Sequence, residues 1–92
     1  MYAKRVDANQ KEIVEEFRRL GATVYVVNRE FDLLVGYDGL NWLVEVKDGR
    51  KPPSKRVLTF NEQKFHDEWA TPIYIIKSKE EVGLLLNPLK SA

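Results

Sequence analysis

Val6, Ile13, Val14, Phe17 and Leu20 recur at helical spacing and Gly21 stops the run, which predicts an amphipathic helix from about Asp7 to Leu20. The pattern then changes period. Ala22 to Val27 is β-branched and aromatic, and Asp32 to Tyr37 and Leu40 to Lys47 read as two further strands split by Asp38-Gly39. That dipeptide suits a two-residue hairpin turn, whose central positions both need positive φ. Gly49 to Lys55, with Pro52-Pro53, is a loop. Thr59 with Glu62 forms the pattern of a capping box that opens a helix running to about Trp69. Pro72 leads into a strand over 73–77, and Ser78 with Glu81 repeats the capping pattern before a last helix that ends near Asn87-Pro88. The order α-β-β-β-α-β-α places a hairpin before a strand–helix–strand crossover. It implies an α/β fold with a mixed four-stranded sheet flanked by helices.

With Asp38-Gly39 as the loop, Tyr37 faces Leu40, and the ladder counted outward sets Asp32 opposite Glu45 on one face. Lys47, two residues beyond Glu45, points to that face as well. The flanking residues Leu33, Leu34, Val35, Trp42, Leu43, Val44 and Val46 are apolar on both faces, as in a strand covered on each side. Two carboxylates opposed in such surroundings repel. A divalent cation reconciles them, because Mg²⁺ is held through one or two carboxylates together with waters and phosphate oxygens. The structural alternative is a charged cluster of Asp32, Lys47 and Glu45 at a strand end, joined by Glu30. A second polar residue stands in an apolar setting: Gln10 falls at the centre of the apolar arc of the first helix. Either its amide reaches back to the Asp7 backbone N–H in a capping box, or it leans toward Asp32 and Glu45.

At 92 residues and 10.7 kDa the chain is one domain, residues 1–92. It has no cysteine and one histidine, which excludes disulfide scaffolds, thiolate zinc sites and cysteine nucleophiles. No apolar run approaches membrane-spanning length and no secretory leader is evident, so the expected address is the cytoplasm. The formal charge is +1, yet Lys47, Arg50, Lys51, Lys55 and Arg56 cluster against the single acid Asp48. This is either a solvated loop or a local site for a polyanion.

Asn9-Gln10-x-Glu12-Ile13-Val14, then Phe31-Asp32-Leu33-Leu34-Val35-Gly36, then Leu43-Val44-Glu45-Val46-Lys47-Asp48-Gly49, then Leu58-Thr59-x-x-x-Gln63, in that order, resemble the PD-(D/E)XK nuclease superfamily. More narrowly they resemble its VRR-NUC and Holliday junction resolvase-like members, over about Asn9 to Val82. The resemblance implies a restriction-endonuclease-like core and a Mg²⁺-dependent endonuclease, with Mn²⁺ as the other candidate cofactor. It makes Asp32 and Glu45 the metal-binding carboxylates, with the backbone carbonyl of Val46 as a further ligand. Lys47 would orient the attacking water and offset charge on the phosphate. Gln10 stands where the family often places a glutamate in the first helix, and Phe31 where it usually has proline. Gln63 matches a glutamine that the VRR-NUC group carries near the site, against the alternative of an exposed helix residue. His66 reads as an ordinary half-buried histidine.

These expectations describe hydrolysis of DNA phosphodiesters, structure-specific and directed at branched DNA such as four-way junctions. Lys4, Arg5, Lys11, Arg50, Lys51, Lys55 and Arg56 would hold the backbone, contacts that position a duplex without reading sequence. A homodimer is expected, since two strands need two sites, with Leu84, Leu85, Leu86 and Leu89 as its apolar surface. The competing classes are a non-catalytic nucleic-acid-binding module on a degenerate nuclease fold and a small structural domain with an innocent charged cluster.

Overall fold

The computed structural model describes residues 6–87. Helix α1 (Gln10–Arg19) is followed by strands β1 (Thr23–Val26), β2 (Leu33–Tyr37) and β3 (Leu40–Val46), a 3₁₀ turn at Pro53–Lys55, helix α2 (Phe60–Glu68), strand β4 (Ile73–Ile76) and helix α3 (Glu80–Leu86). The strands stand side by side in chain order, antiparallel from β1 to β3 and parallel between β3 and β4. The architecture is therefore α/β with a mixed four-stranded sheet and flanking helices.

Asp38 and Gly39 both have positive φ, 52° and 78°, and the expected register forms, from Tyr37 opposite Leu40 to Leu33 opposite Val44. Thr59 and Glu62 make the expected capping box, each side chain bonded to the other's backbone N–H. Two helix starts differ from expectation. α1 begins at Gln10 rather than Asp7; Asn9 makes no side-chain cap, and its amide N–H₂ donates to the carbonyls of Lys47 (3.2 Å) and Lys77 (3.1 Å). α3 has no side-chain cap from Ser78; Glu81 reaches back to the Lys77 N–H at 2.6 Å.

Alternation along the strands divides the sheet into two unlike faces. Leu33, Val35, Val44, Val46 and Ile76 pack against Ile13, Val14 and Phe17 of α1 and Val82 and Leu86 of α3, and this is the core. The opposite face is not covered as expected. Register sets Tyr25, Leu34, Leu43 and Ile73 in one row across all four strands, with Ile75 beside Glu45. Tyr25 is 70% and Ile75 47% exposed. Helix α2 cannot close this face, since its one buried residue is Glu62 and it has no apolar stripe to lay over the row. The leucines of the last helix are not the surface that was expected: Leu86 is buried, Leu85 packs against the core, Leu84 is exposed and Leu89 lies outside the described residues. Among the described residues, no helix is long and apolar enough to cross a membrane.

Candidate active site

The site is built where β3 ends. Residues 44 and 46 of that strand aim their amide and carbonyl toward β2, while the Lys47 amide bonds Ile76 of β4 at 3.0 Å. β2 pairs regularly only from Leu33 onward. One residue earlier the ladder breaks: the Asp32 N–H goes to the Val44 carbonyl at 3.0 Å, although Leu33 is the residue that pairs with Val44. Two residues of β2 then serve one of β3, which is a β-bulge. The Asp32 carbonyl accepts in turn from the amides of Val27 (2.8 Å) and Asn28 (3.0 Å), the latter in the left-handed conformation that asparagine tolerates. Asp32 is thus fixed by its backbone on both sides.

This geometry corrects the expectation of two carboxylates opposed squarely across the ladder. The Asp32 carboxylate, 3% exposed as a residue, accepts from the backbone N–H of Val46 at 2.7 Å. Val46 lies between Glu45 and Lys47, so the three motif residues still converge on the last turn of one strand. Its carbonyl points to the same side as the amide that Asp32 takes, because N–H and C=O of one strand residue share a side.

Glu45 is fully buried on the outer face. Lys47 Nζ lies 3.5 Å from its Oε2, 4.0 Å from Glu62 Oε1 and 3.4 Å from the Val57 carbonyl, to which it donates. Lys47 therefore turns inward and is no part of the basic loop surface. His66 Nε2 lies 3.8 Å from Glu45 Oε1 and 3.2 Å from the Glu30 carbonyl. The histidine is half-buried as expected, but it belongs to the site. Asp48 and Gly49 turn the chain away from β3; the Gly49 amide bonds Lys77 at 3.0 Å, and a Cβ on residue 49 would meet that same carbonyl at 3.1 Å.

Gln63 is not brought to the carboxylates. It is exposed and donates to Asp67 at 2.8 Å. Phe31, Phe65 and Trp69 stack in series, with centroids 5.9 Å and 5.2 Å apart, and this fixes the rotation of α2 so that Glu62 and His66 face the strand end. One residue on, about 100° around the helix, Gln63 faces solvent. Gln10 does not form the capping box that was one of its two readings, being the first residue of α1 rather than its third. It is buried along a groove of about 540 Å³ shared with Val14 and Val26, and its Oε1 has no hydrogen-bond partner among the described residues.

The basic loop is less free than its composition implies. Arg50 is held by Asp48 through its side chain and its backbone N–H, all at 3.0 Å, and Lys51 reaches Asp7 at 3.3 Å. The Arg50 guanidinium, followed by its backbone N–H, holds the Asp48 carboxyl down at about 2 against an ordinary 3.8. Lys55 and Lys11 are exposed, Arg56 is half-buried, and Lys4 and Arg5 lie outside the described residues.

Sequence reasoning missed Asn9 and Glu62. Asn9 entered only as the first residue of the motif that carries the resemblance, whereas it ties the ends of β3 and β4 together. Glu62 was read for its cap and not for its approach to Lys47.

The donor set discriminates among metals. Among the described residues there is no group of three histidine, cysteine or acidic side chains that could hold a metal, so an all-protein cage of the zinc type does not fit. Two buried carboxylates and a neighbouring carbonyl do suit Mg²⁺, which dehydrates reluctantly and keeps several waters. Compared with protein-family models, curated proteins and solved structures, the chain finds no match.

Proposed function

We propose that this protein is a metal-dependent, structure-specific DNA endonuclease that hydrolyses phosphodiester bonds, with branched DNA such as a four-way junction as its substrate. One observation carries the reading: the buried Asp32 carboxylate is anchored on the amide of Val46, between the fully buried Glu45 and the inward-turned Lys47. Asp32, Glu45 and the Val46 carbonyl would hold Mg²⁺ or Mn²⁺. When bound, the ion supplies Lewis-acid polarisation of a phosphoryl oxygen and a more acidic water. Asp32 and Glu45 keep fixed positions through backbone and neighbouring donors, so little reorganisation is needed at the reacting centre. Lys47, whose side chain is 13% exposed, places a cation beside Glu45 where negative charge develops on the phosphate. Lys11, Arg50, Lys51, Lys55 and Arg56 would offer phosphate contacts, and Lys4 and Arg5, outside the described residues, are the remaining candidates from the sequence. A second copy would supply the second site that paired strand cutting needs, and the open row of Tyr25, Leu34, Leu43 and Ile73 is the apolar surface for it.

The test is nicking of an end-labelled four-way junction in Mg²⁺ and in chelator, by the wild type, Glu45→Gln and Lys47→Ala. Metal-dependent nicking lost in both variants is the expected result. The second reading, a binding module without cleavage, is favoured by Gln10 in place of a first-helix glutamate and by the absence of a three-ligand cluster among the described residues. Junction binding with no product at any Mg²⁺ or Mn²⁺ concentration would establish it.

A further inference from the structure

We propose that His66 is a positioning residue for Glu45: its ring edge at Nε2, hydrogen-bonded to the Glu30 carbonyl, lies 3.8 Å from Glu45 Oε1 and favours one orientation of the carboxylate that would bind the metal. The inference rests on the nuclease reading above. Nε2 lies 3.2 Å from the Glu30 carbonyl and 3.8 Å from Glu45 Oε1. Both are acceptors only, so the proton sits on Nε2 and this edge of the ring is a donor. Lys47 Nζ stands 3.5 Å from the other oxygen, Oε2. Glu45 therefore has a donor beside each oxygen, and its terminal torsion, which is soft in an unrestrained glutamate, has one favoured setting.

The imidazole is held by its bond to Glu30 and by the rotation of the helix that carries it. Glu30 lies two residues before Asp32, so a single ring nitrogen connects the approach to one candidate ligand with the carboxylate of the other. Phe65, its neighbour on α2, stacks on Phe31, the residue just before Asp32, at 5.9 Å and 21°. Trp69 stacks on the far side of Phe65 at 5.2 Å and 19°. This column sets the rotation of a helix that otherwise buries only Glu62. Burial of the histidine side chain to 9% exposure leaves the ring little freedom to turn away. Donors behind a ligating carboxylate orient it and tune its affinity, and removing one costs about 10–100-fold in metal binding.

Mn²⁺ is the probe, titrated into the full chain and followed by the electron paramagnetic resonance of the free ion. Wild type, His66→Ala and His66→Gln are compared at one pH, with far-UV circular dichroism as the check of folding. Glutamine can place its amide N–H₂ near the position of Nε2 and donate to both acceptors. His66→Ala should weaken Mn²⁺ binding about tenfold or more, and His66→Gln should recover most of that loss. Nicking by His66→Ala should return toward the wild-type maximal rate at high metal concentration, the change lying in the metal requirement and not in turnover.

Equal Mn²⁺ affinity in wild type and His66→Ala overturns the proposal. So does a His66→Gln protein that folds yet binds no better than His66→Ala. A His66→Gln protein with normal affinity but no nicking also overturns it, because His66 would then act in the chemistry and not behind it. If the wild type itself binds no Mn²⁺, the nuclease reading fails and takes this one with it. A wild type that binds, beside variants that do not differ, leaves that reading intact and removes only the role of His66.

Discussion

Replacing Asp32 separates its structural duty from its chemical one, because its side chain does two things that different substitutions remove separately. It accepts from the Val46 N–H at 2.7 Å, and it carries a charge close to the buried Glu45. In Asp32→Asn the amide oxygen can still accept that bond. The loss is the difference between a charge-assisted and a neutral hydrogen bond, about 1 kcal/mol, and relief of repulsion from Glu45 works against it. In chelator the variant should melt within about 4–8 °C of the wild type, the span that ~1 kcal/mol covers in a domain of this size. Asp32→Ala leaves the Val46 N–H buried without its acceptor, at a cost of ~1–3 kcal/mol, and should melt roughly 4–24 °C lower. Mg²⁺ at about 100 times its Kd should stabilise the wild type by ~2.7 kcal/mol and leave both variants unmoved. The assay is thermal unfolding of the three proteins in chelator and in Mg²⁺, with junction nicking alongside. Asp32→Asn melting as low as Asp32→Ala in chelator would mean that the charge itself holds the fold together. If Asp32→Asn gained as much from Mg²⁺ as the wild type does, Asp32 would not be a ligand.

The Asp48 carboxyl titrates at about 2 in the folded chain against 3.8 ordinarily, so its contribution is present above pH ~4 and is lost as pH falls through ~2. The difference in melting temperature between wild type and Asp48→Asn should be constant near neutrality and close between those two values; a gap that persists at the acid end refutes the Arg50 pairing as its source. Charge reversal of Arg50, Lys51, Lys55 and Arg56 together should weaken all DNA substrates alike and flatten the salt dependence of binding. Loss of affinity for one sequence alone would mean that the loop reads bases. Light scattering at micromolar concentration should give twice 10.7 kDa, and a mass of 10.7 kDa would remove paired cutting by a dimer.

What could be read from the sequence was whatever local chemistry decides. Asp38-Gly39 fixes its turn with two positive φ angles, the turn fixes the register, and the register brings the β2–β3 ladder to Leu33 and Val44 as counted. The Thr59 and Glu62 box is likewise closed within four residues. The site departs from expectation where distant groups intervene. The bulge at Asp32 depends on the amides of Val27 and Asn28 clamping its carbonyl, and no periodicity announces that. The rotation of α2 was illegible for a related reason. A helix without an apolar stripe has no phase in its sequence, and three aromatic rings from two separate segments set it instead. Gln63 was favoured over its neighbour Glu62, and one position is enough to turn a side chain from the strand end to solvent. The loop cations were counted correctly, but Lys51 found Asp7, which lies 44 residues away.

Folding alone does not ask for this set of residues at the end of β3. The Val46 amide has to be satisfied, because β2 starts its regular pairing too late to meet it, and an asparagine at position 32 would be enough for that. Glu45, fully buried, and Lys47, nearly so, form a pair whose desolvation their mutual attraction offsets poorly at 3.5 Å. Apolar side chains of similar volume on that face would be neutral or stabilising, and the row of Tyr25, Leu34, Leu43 and Ile73 beside them shows that this face accommodates such residues. Glu45 and Lys47 therefore persist at the end of β3, with Asp32 brought beside them from the start of β2, where burial works against ionised groups. On the nuclease reading, a dication held by the carboxylates and an anion beside the lysine would add favourable interactions that offset this cost.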